Sequence, residues 1–333
     1  MERIKNDMLY IIDNCTDPYR NLAAEEYLFK GKSEPVFRLW RNDRAVIVGR
    51  NQNTAAEVNR EYVRQNGIAV VRRLSGGGAV FHDLGNVNFT FIDNVKRDED
   101  TSEMFRRYTK PIIDALGSLG IEAKLEGRND LTIEGKKFSG NAIAISGGRI
   151  LQHGTLLFSS SYGEMTGALK NRKEKYSDKA VKSIPARVTN ISEHMKHSMK
   201  VEDFMEYLEN RIAQGEGRYS YDAKDDAAID LLCRKRYRTD EWNYGKSPNY
   251  NVSNVCKFPS GLYEAYYDVS QGKIGNLHIY GDYFFTLPTE EFCRHLEGCD
   301  ANEESLKGGI AALPYGEYFK GMTIGELIRL LLP

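Results

Sequence analysis

The chain has 333 residues, of which 41% are hydrophobic and 28% charged, and its formal net charge is −1. This composition excludes a disordered or fibrous protein, and neither half of the chain is basic enough to predict nucleic-acid binding. No apolar run approaches the roughly 18 residues that a membrane span needs, and charges interrupt the apolar N-terminal stretch, so we expect a cytoplasmic protein with no signal peptide and no membrane partner.

The length and the charge distribution predict two domains. A chain of 333 residues exceeds the usual size of one domain. Residues 251–333 carry 6 Lys and Arg against 11 Asp and Glu, although the whole chain is nearly neutral. The five cysteines are widely spread and form no CxxC pair, so neither a zinc site nor a disulfide framework is predicted.

The first half of the chain predicts alternating strands and helices. DPYRNLAAEEYLFK opens with Asp and Pro and continues in good helix formers, which predicts a first helix. Short β-branched runs bounded by Gly, Asn or Asp predict strands at 44–50, 68–74 and 87–93. Residues 101–120 have apolar residues at helical spacing and end in Gly, so they predict a second long helix.

The second half predicts an antiparallel meander and then a separate module. Alternating runs over 131–159 are separated by the turn sequences EGK and SGGR. Helical periodicity returns at 201–214 and 225–237, and a linker rich in Asn, Gly, Pro and Ser follows. Strands at 261–270 and 273–284, with three short helical patterns after them, predict a small α+β unit.

Residues 72–86, RRLSGGGAVFHDLGN, place three consecutive glycines beside paired arginines. Glycine has no Cβ and accepts φ > 0, so such a loop lets an anion reach main-chain N–H groups. Arg72 and Arg73 alternate faces on a strand, so one faces a ligand while the other packs or meets solvent. Arg73 beside the loop would hold a phosphate bidentately; a tight turn and a surface arginine are the alternatives.

Three further clusters are GRND at 127–130, KKFSGNA at 136–142 and QHGTLLF at 152–158. We predict that they lie with the glycine loop at strand ends or turns of one sheet, where binding residues collect. Lys137 is a candidate nucleophile, Schiff-base former or cation on a phosphoryl group, or else a solvated lysine. No P-loop or Rossmann glycine motif is present.

Other candidates have equally open interpretations. Asn129 and Asp130 offer the oxygen ligands that Mg²⁺ accepts beside phosphates, or they are turn residues. His82 and His153 each adjoin a glycine-bearing segment, where orienting a loop is favoured over acting as a general base. Residues 170–187 hold seven basic residues, which predicts a loop for an anionic ligand or an acidic partner, or a solvated linker.

Taken together, these motifs resemble the lipoate–protein ligase A family. The resemblance is carried by RRLSGGGAVFHDLGNVNFTF, GRNDL, KKFSGNA, HGTLLF, RVTN, GRNQN and WNYGKSP, which cover most of residues 1–250. It implies an α/β (α+β) fold: a mixed, largely antiparallel sheet with flanking helices of the biotin/lipoate ligase type, plus a small α+β C-terminal domain. The implied domains are a catalytic domain, 1–246, and an accessory domain, 247–333.

The resemblance also implies a two-step reaction. ATP, with Mg²⁺, activates free lipoate to lipoyl-AMP, and a lysine of an apo lipoyl domain then attacks and releases AMP. The implied acceptors are the acyltransferase subunits of oxoacid dehydrogenases and the glycine cleavage H protein, and the implied oligomeric state is a monomer. The accessory domain is expected to move when the adenylate forms, because its linker is rich in Asn, Gly and Pro.

Site residues carry over from the family motif by motif. Lys137 aligns with the essential catalytic lysine. The adenylate-binding residues implied are Arg73, Ser75, Gly76, Gly77, Gly78, Ala79, Val80, Phe81, Asn129, Asp130 and Lys137. The lipoate-binding residues implied are Gly78, His82, Lys137, Ser139, Gly140, His153 and Gly154. Asp130 is the implied metal ligand.

The sequence bears on four alternative activities. Acyl transfer through a cysteine thioester needs an activated cysteine near the site, and residues 16–232 contain none. Biotin ligases favour a GRGRxGR loop, which is absent. A lipoyl amidotransferase acting between carrier proteins, or a non-catalytic adenylate-binding protein, remains the alternative.

Overall fold

In a computed structural model of the chain, the structure describes residues 8–96, 99–169, 187–213, 217–244 and 252–332. The strands are β1 (Leu9–Ile12), β2 (Val36–Trp40), β3 (Ala45–Val48), β4 (Ala69–Arg72), β5 (Val80–His82), β6 (Asn86–Asn94), β7 (Ala123–Glu126), β8 (Asp130–Ile133), β9 (Lys136–Ser146), β10 (Arg149–Leu157), β11 (Val252–Phe258), β12 (Gly261–Ser270) and β13 (Lys273–Gly281).

The α-helices are α1 (Pro18–Gly31), α2 (Thr54–Glu57), α3 (Arg60–Gln65), α4 (Thr101–Ser118), α5 (Tyr162–Ala168), α6 (Val201–Ile212), α7 (Ala223–Leu232), α8 (Asp240–Tyr244), α9 (Thr289–Leu296), α10 (Glu303–Ala311), α11 (Tyr315–Tyr318) and α12 (Ile324–Leu331). A π-helical turn, Cys233–Tyr237, continues α7, and a 3-10 turn, Ile191–His194, precedes α6. Within the described ranges, none of these helices has the length and apolar character needed to cross a membrane.

A seven-stranded sheet forms the centre of the large domain. Its strand order is β1-β2-β6-β10-β9-β8-β7, and every neighbouring pair is antiparallel except β1 and β2. Apolar side chains of α4 and α6 cover one face, and α1 packs on the other. The predicted meander is β8-β9-β10, so the predicted mixed, largely antiparallel sheet with flanking helices is confirmed.

A second, three-stranded sheet carries the glycine loop. Its order is β4-β3-β5, with β3 parallel to β4 and antiparallel to β5, and the loop joins β4 to β5. The glycine loop therefore lies on a different sheet from the other three clusters, whereas the sequence predicted one sheet for all four. The loop is on this sheet because both of the strands that it joins pair with β3, which is buried along its whole length.

The C-terminal unit has its own sheet and core. Its strand order is β11-β12-β13, and α9 to α12 pack around aromatic residues such as Tyr263 and Tyr283, whose rings stack at 4.8 Å. The predicted small α+β domain is confirmed, but the sequence missed β11 and one of the four helices. Residues 170–186 and 245–251, which include most of the basic segment and of the linker, lie outside the described residues.

A buried ion pair ties the first strand to the sheet. Arg38 of β2 has no exposed surface and donates to Asp13 Oδ2 at 2.7 and 3.2 Å and to Asn21 Oδ1 at 2.6 Å. Burial by itself would raise the pKa of Asp13, but the Arg38 charge, the hydrogen bonds from Arg38 and from the Cys15 backbone, and the Arg20 charge together outweigh it and hold the pKa below its ordinary value. The pair therefore joins the start of the chain to α1 and β2.

We predict that Asp13→Asn lowers the free energy of unfolding by about 3–5 kcal/mol, because it removes the ion-pair partner of the buried Arg38 guanidinium. Asp114→Asn is the matched control, since it breaks the exposed Lys110–Asp114 pair of α4 and should cost at most about 0.5 kcal/mol. Chemical denaturation at neutral pH measures both.

The same pair predicts a pH dependence. Because the folded-state pKa of Asp13 lies below its ordinary value of 3.8, its stabilisation is complete above pH 3.8 and disappears as the pH falls through the lower folded-state value. The stability difference between the native chain and Asp13→Asn should therefore shrink in acid. A difference that stays constant down to complete protonation would contradict this assignment.

Candidate active site

A cleft of about 610 Å³, measured to its open mouth, lies between the large sheet, the small sheet and α1. The predicted site residues that line it are Arg73, Gly77, Gly78, Ala79, Val80, His82, Asn129, Lys137, Gly140, His153 and Gly154. The other three predicted clusters thus meet the glycine loop at one place, although the loop lies on a different sheet from them.

The three glycines of the loop differ in what a side chain would meet at each position. A Cβ on Gly76 would collide with the carbonyl oxygen of Tyr283 in the C-terminal unit. Gly77 has φ +88°, a conformation that side chains disfavour. A Cβ on Gly78 would meet no described atom within 4 Å. Space for a ligand against bare backbone is therefore present at Gly78.

Arg73 fixes the shape of this loop from beneath. Its guanidinium is buried and donates to the carbonyl oxygens of Gly76 at 2.6 Å, Gly78 at 2.9 Å and Ile47 at 3.2 Å, and to Ser75 Oγ at 3.0 Å. Burial lowers its pKa to about 10, so it stays charged at neutral pH. Most of its donors are thus directed to the loop itself.

Arg72 lies on the opposite face of β4, as the strand alternation predicted. It donates to the carbonyl oxygens of Gly49 at 2.9 Å, Arg50 at 3.0 Å and Gln52 at 2.7 Å, and to that of Trp242 at 2.9 Å. Arg72 therefore joins the GRNQN loop to Trp242, the first residue of the WNYGKSP motif. This contact explains why both motifs accompany the glycine loop in the sequence.

A buried chain of hydrogen bonds connects the glycine loop to α1. His153 Nε2 lies 2.6 Å from Ser75 Oγ, and His153 Nδ1 lies 2.9 Å from Glu25 Oε1. Glu25 also accepts from Thr90 Oγ1 at 2.6 Å. Burial alone would raise the pKa of Glu25, but His153 and Thr90 outweigh it and keep the pKa below its ordinary value. A negative charge thus lies behind the Arg73 network.

Lys137 lies at the open end of the cleft. Its side chain is 40% exposed, and its Nζ is 2.7 Å from Asp130 Oδ1. A Cβ on Gly140 would lie 3.0 Å from this Nζ, so the glycine leaves room for the lysine to fold across the strand. Thr189 of the RVTN motif donates its N–H to the Lys137 carbonyl at 2.9 Å and supports the start of β9.

The opposite end of the cleft is buried. His82 is 3% exposed, and its Nδ1 lies 3.0 Å from the Asn42 amide nitrogen. Burial is the main cause that lowers the pKa of His82 to about 3, and the nearby Arg73 charge adds to it. This histidine is neutral at physiological pH, so it acts as a hydrogen-bonding group and not as a titrating acid or base.

Five predicted residues do not line the cleft. Phe81 packs into the core between the small sheet and α5, because its neighbours on β5 face the other way. Ser75 and Ser139 are buried behind the surface, where Ser139 Oγ lies 3.3 Å from the Asn141 amide nitrogen. Gly76 contacts the C-terminal unit, and Asp130 reaches the site through Lys137.

The sequence reasoning missed several residues of the cleft wall. These are the apolar Leu22, Trp40, Ile47 and Ala142 and the polar Asn88, Asn141 and Thr155. A signal for the polar face was present: in β6 the residues Asn86, Asn88 and Thr90 alternate with buried apolar residues. Alternate residues of a strand point to the same face of the sheet, so these polar residues share one face. Because that face is buried, they line an internal space.

The oxygen ligands needed for a divalent cation are few. Across the described ranges, no group of three or more His, Cys, Asp and Glu side chains is arranged to hold a metal ion. Asp130 supplies one carboxylate at the mouth of the cleft. This set fits Mg²⁺ only in the coordination that is common for this ion, in which substrate phosphates and water supply most ligands and the protein supplies one or two carboxylates.

The C-terminal unit rests against the glycine loop. Gly281 N–H donates to the Asn51 carbonyl at 2.7 Å. Arg128 donates to the carbonyl oxygens of Ser260 and Asp282, and its guanidinium lies 4.6 Å from the Phe284 ring centroid. These contacts connect the GRND motif, the glycine loop and the C-terminal unit.

Comparison with known sequences identifies relatives over the whole chain. A family model described as "Lipoyl protein ligase A/B catalytic domain" matches residues 17–213, and one described as "Bacterial lipoate protein ligase C-terminus" matches residues 247–331. The lipoate-protein ligase LplJ of Bacillus subtilis (strain 168) is 39% identical in an alignment 332 residues long, which covers 97% of this chain and 100% of that protein.

Solved structures agree with these sequence matches. P. falciparum LipL1 in complex with lipoate has a TM-score of 0.78 and 26% identity, over 98% of this chain and 99% of that one. A lipoate-protein ligase A bound with ATP has a TM-score of 0.62 and 27% identity, over 72% of this chain and 99% of that one. The chain therefore belongs to the lipoyl protein ligase A/B family.

Proposed function

We propose that this chain is an ATP-dependent lipoate–protein ligase, which activates free lipoate to lipoyl-AMP and transfers the lipoyl group to a lysine of a protein acceptor. The observation that carries this proposal is the position of Lys137, whose charged end lies at the mouth of a cleft with an apolar interior. A carboxylic acid with a long apolar tail fits such a site, because its two ends need opposite surroundings.

The polarity of the cleft supports one orientation of lipoate. Lys137 is 40% exposed at one end, whereas Trp40 is 2% exposed at the other. The lipoate carboxylate would lie at Lys137 with the dithiolane ring toward Trp40, and the open space at Gly78 leaves room for the chain. Gly154 has no space for a side chain, because a Cβ there would collide with Asn141 and with the Phe89 ring.

In the first step, a carboxylate oxygen of lipoate attacks the α-phosphorus of ATP. The bond between this phosphorus and the bridging oxygen of pyrophosphate breaks, and pyrophosphate leaves. The attack brings two anions together, so a fixed cation lowers the barrier. Lys137 Nζ is the group that supplies this charge, and Asp130 orients it at 2.7 Å.

In the second step, an unprotonated lysine ε-amine of the acceptor attacks the carbonyl carbon of lipoyl-AMP. The bond from carbon to the phosphate oxygen breaks, AMP leaves, and the amine nitrogen loses a proton to the surrounding solvent. Lys137 again stabilises the negative charge, which develops first on the carbonyl oxygen and then on the departing phosphate. The open mouth at Lys137 is where an acceptor lysine has access.

The glycine loop supports the nucleotide in this proposal. Residues Gly77 to Val80 would lie against the adenylate phosphate, while Arg73 holds the loop in shape and adds a positive field from beneath. Mg²⁺ would neutralise phosphate charge beside Asp130. We assign the catalytic role to residues 1–246 and an accessory role to residues 247–333. The acceptor is proposed to be an apo lipoyl domain of an oxoacid dehydrogenase or the H protein; a cytoplasmic location and a monomeric state stay predictions.

We predict that Lys137→Ala lowers the rate of ATP- and lipoate-dependent acceptor modification by about 10²–10³, the loss typical for removing one group that stabilises transition-state charge. The matched control is Lys136→Ala, because Lys136 is the exposed neighbour on the same strand. The measurement is the mass of an apo lipoyl domain incubated with ATP, Mg²⁺ and lipoate, and equal losses in both variants would contradict the role of Lys137.

The same assay separates the ligase from a transferase. A mass gain that requires ATP and free lipoate supports the ligase. If the acceptor gained mass only when a lipoylated donor protein replaced ATP and lipoate, the chain would be an amidotransferase and the proposal would be wrong.

Asp130→Asn should raise the Mg²⁺ concentration needed for half-maximal adenylate formation several-fold, since one carboxylate ligand beside the phosphates is lost. Titrating Mg²⁺ at saturating ATP measures this. If the variant lost activity but kept the native Mg²⁺ dependence, Asp130 would act only by orienting Lys137.

Adenylate formation should change the position of residues 247–333. The carbonyl of Tyr283 packs on Gly76, next to the backbone proposed to hold the phosphate, so a bound adenylate and this contact compete for one loop. Small-angle scattering with and without lipoyl-AMP measures the change. Identical profiles would show that the contact survives binding.

A further inference from the structure

Two polar atoms at the buried end of the cleft have no hydrogen-bond partner within the described part of the chain. They are Nδ2 of Asn88 and Nε2 of His82, and both residues line the cleft at 2% and 3% exposure. A buried donor without an acceptor is unfavourable, so natural proteins rarely retain one without a reason. Two of them in one apolar pocket indicate that a ligand supplies the acceptor.

The surrounding hydrogen bonds make His82 Nε2 a donor and leave Nδ2 of the Asn88 amide without a partner. Asn86 donates its amide to Asn88 Oδ1 at 2.9 Å, which leaves Nδ2 of Asn88 as the free group. Asn42 Nδ2 lies 3.0 Å from His82 Nδ1. An amide nitrogen only donates, so His82 Nδ1 accepts and the proton of the neutral ring is on Nε2.

The strand register gives the distance from Lys137 to these donors. Gly140 N–H donates to Thr155 Oγ1 at 3.2 Å, Thr155 pairs with Asn88, and Asn88 pairs with Trp40. These residues form one row across β9, β10, β6 and β2. Neighbouring strands are about 4.8 Å apart, so Asn88 lies roughly 10 Å across the sheet from Gly140.

An extended eight-carbon acid spans about this distance. This step rests on the proposed function: with its carboxylate at Lys137, the far end of the acid reaches Asn88 and His82. In lipoate that end is a dithiolane ring, whose sulfur atoms are weak hydrogen-bond acceptors, as thioether sulfur is. In octanoate it is a methyl group, which accepts nothing.

We propose that Asn88, together with His82, is a specificity-determining residue that donates to the dithiolane sulfur and selects lipoate over acids of the same length without sulfur. The preference for lipoate arises chiefly because a competing acid without sulfur leaves both donors unpaired in an apolar pocket and therefore binds less well. Trp40, whose ring centroid is 6.2 Å from that of His82, closes this end of the pocket.

The test compares three acids in the adenylate-forming step: lipoate, octanoate and 5-cyclopentylpentanoate, which keeps a five-membered ring but lacks sulfur. We expect the native chain to favour lipoate over the cyclopentyl acid in kcat/KM. In Asn88→Leu, which has a side chain of similar size and no donor, this preference should fall at least about fivefold, the scale of one lost hydrogen bond.

The matched control is Thr155→Val, which removes a hydroxyl from the same row one strand nearer to Lys137. It should change kcat/KM for all three acids by the same factor, because the ring does not reach it. The comparison of lipoate with the cyclopentyl acid on the native chain needs no variant, so the proposal is testable even if Asn88→Leu does not fold.

The outcomes separate this proposal from the ligase assignment. If the native chain forms adenylate with lipoate and the cyclopentyl acid equally well, or if Asn88→Leu leaves their ratio unchanged, the donors serve a buried water and not sulfur, and the inference is wrong while the ligase stands. If no acid is activated, the proposed function itself fails and this inference with it.

Discussion

The buried charge of Arg73 is the constraint on which the rest of the site depends. A guanidinium in an apolar interior is strongly unfavourable unless its donors are satisfied, and here the carbonyl groups of the glycine loop satisfy them. The compensating charge is that of Glu25, reached through Ser75 and His153. The loop is therefore held in one shape by α1, β10 and its own arginine before any ligand binds, and preorganisation of this kind is what makes electrostatic stabilisation effective.

The two sheets divide the work of building the cleft. The large sheet provides a straight row of small and polar residues, from Gly140 through Thr155 to Asn88, that ends under Trp40. The small sheet supplies the roof, because the glycine loop joins two of its strands. The polar end stays open at Lys137, where ATP needs access for adenylate formation and the acceptor lysine needs access for its attack. Chemistry at the mouth and recognition at the buried end follow from this one arrangement.

Much of this architecture was predictable from local sequence patterns. The cap at Asp17, the β-branched runs and the turn sequences EGK and SGGR correctly located α1, the strands β3, β4 and β6, and the meander, whereas β2 and β5 were not predicted. The placement of the glycine loop on a second sheet was not predictable, because periodicity does not state which strands pair. Trp40 and Asn88 were missed for the same reason: their role arises from register between β2 and β6. Arg73 was predicted to hold a phosphate, and the hydrogen bonds that it makes to the loop were not predictable, because they depend on a loop conformation that composition does not specify.

The orientation of the acid in the cleft is the claim that connects the site to the chemistry, and crystallography with lipoate tests it most directly. Anomalous scattering from the two ligand sulfur atoms locates the dithiolane ring independently of the fitted chain. Our account predicts sulfur peaks beside Asn88 and Trp40, with the carboxylate next to Lys137 Nζ. Sulfur peaks at Lys137, with the carboxylate at the buried end, would contradict it.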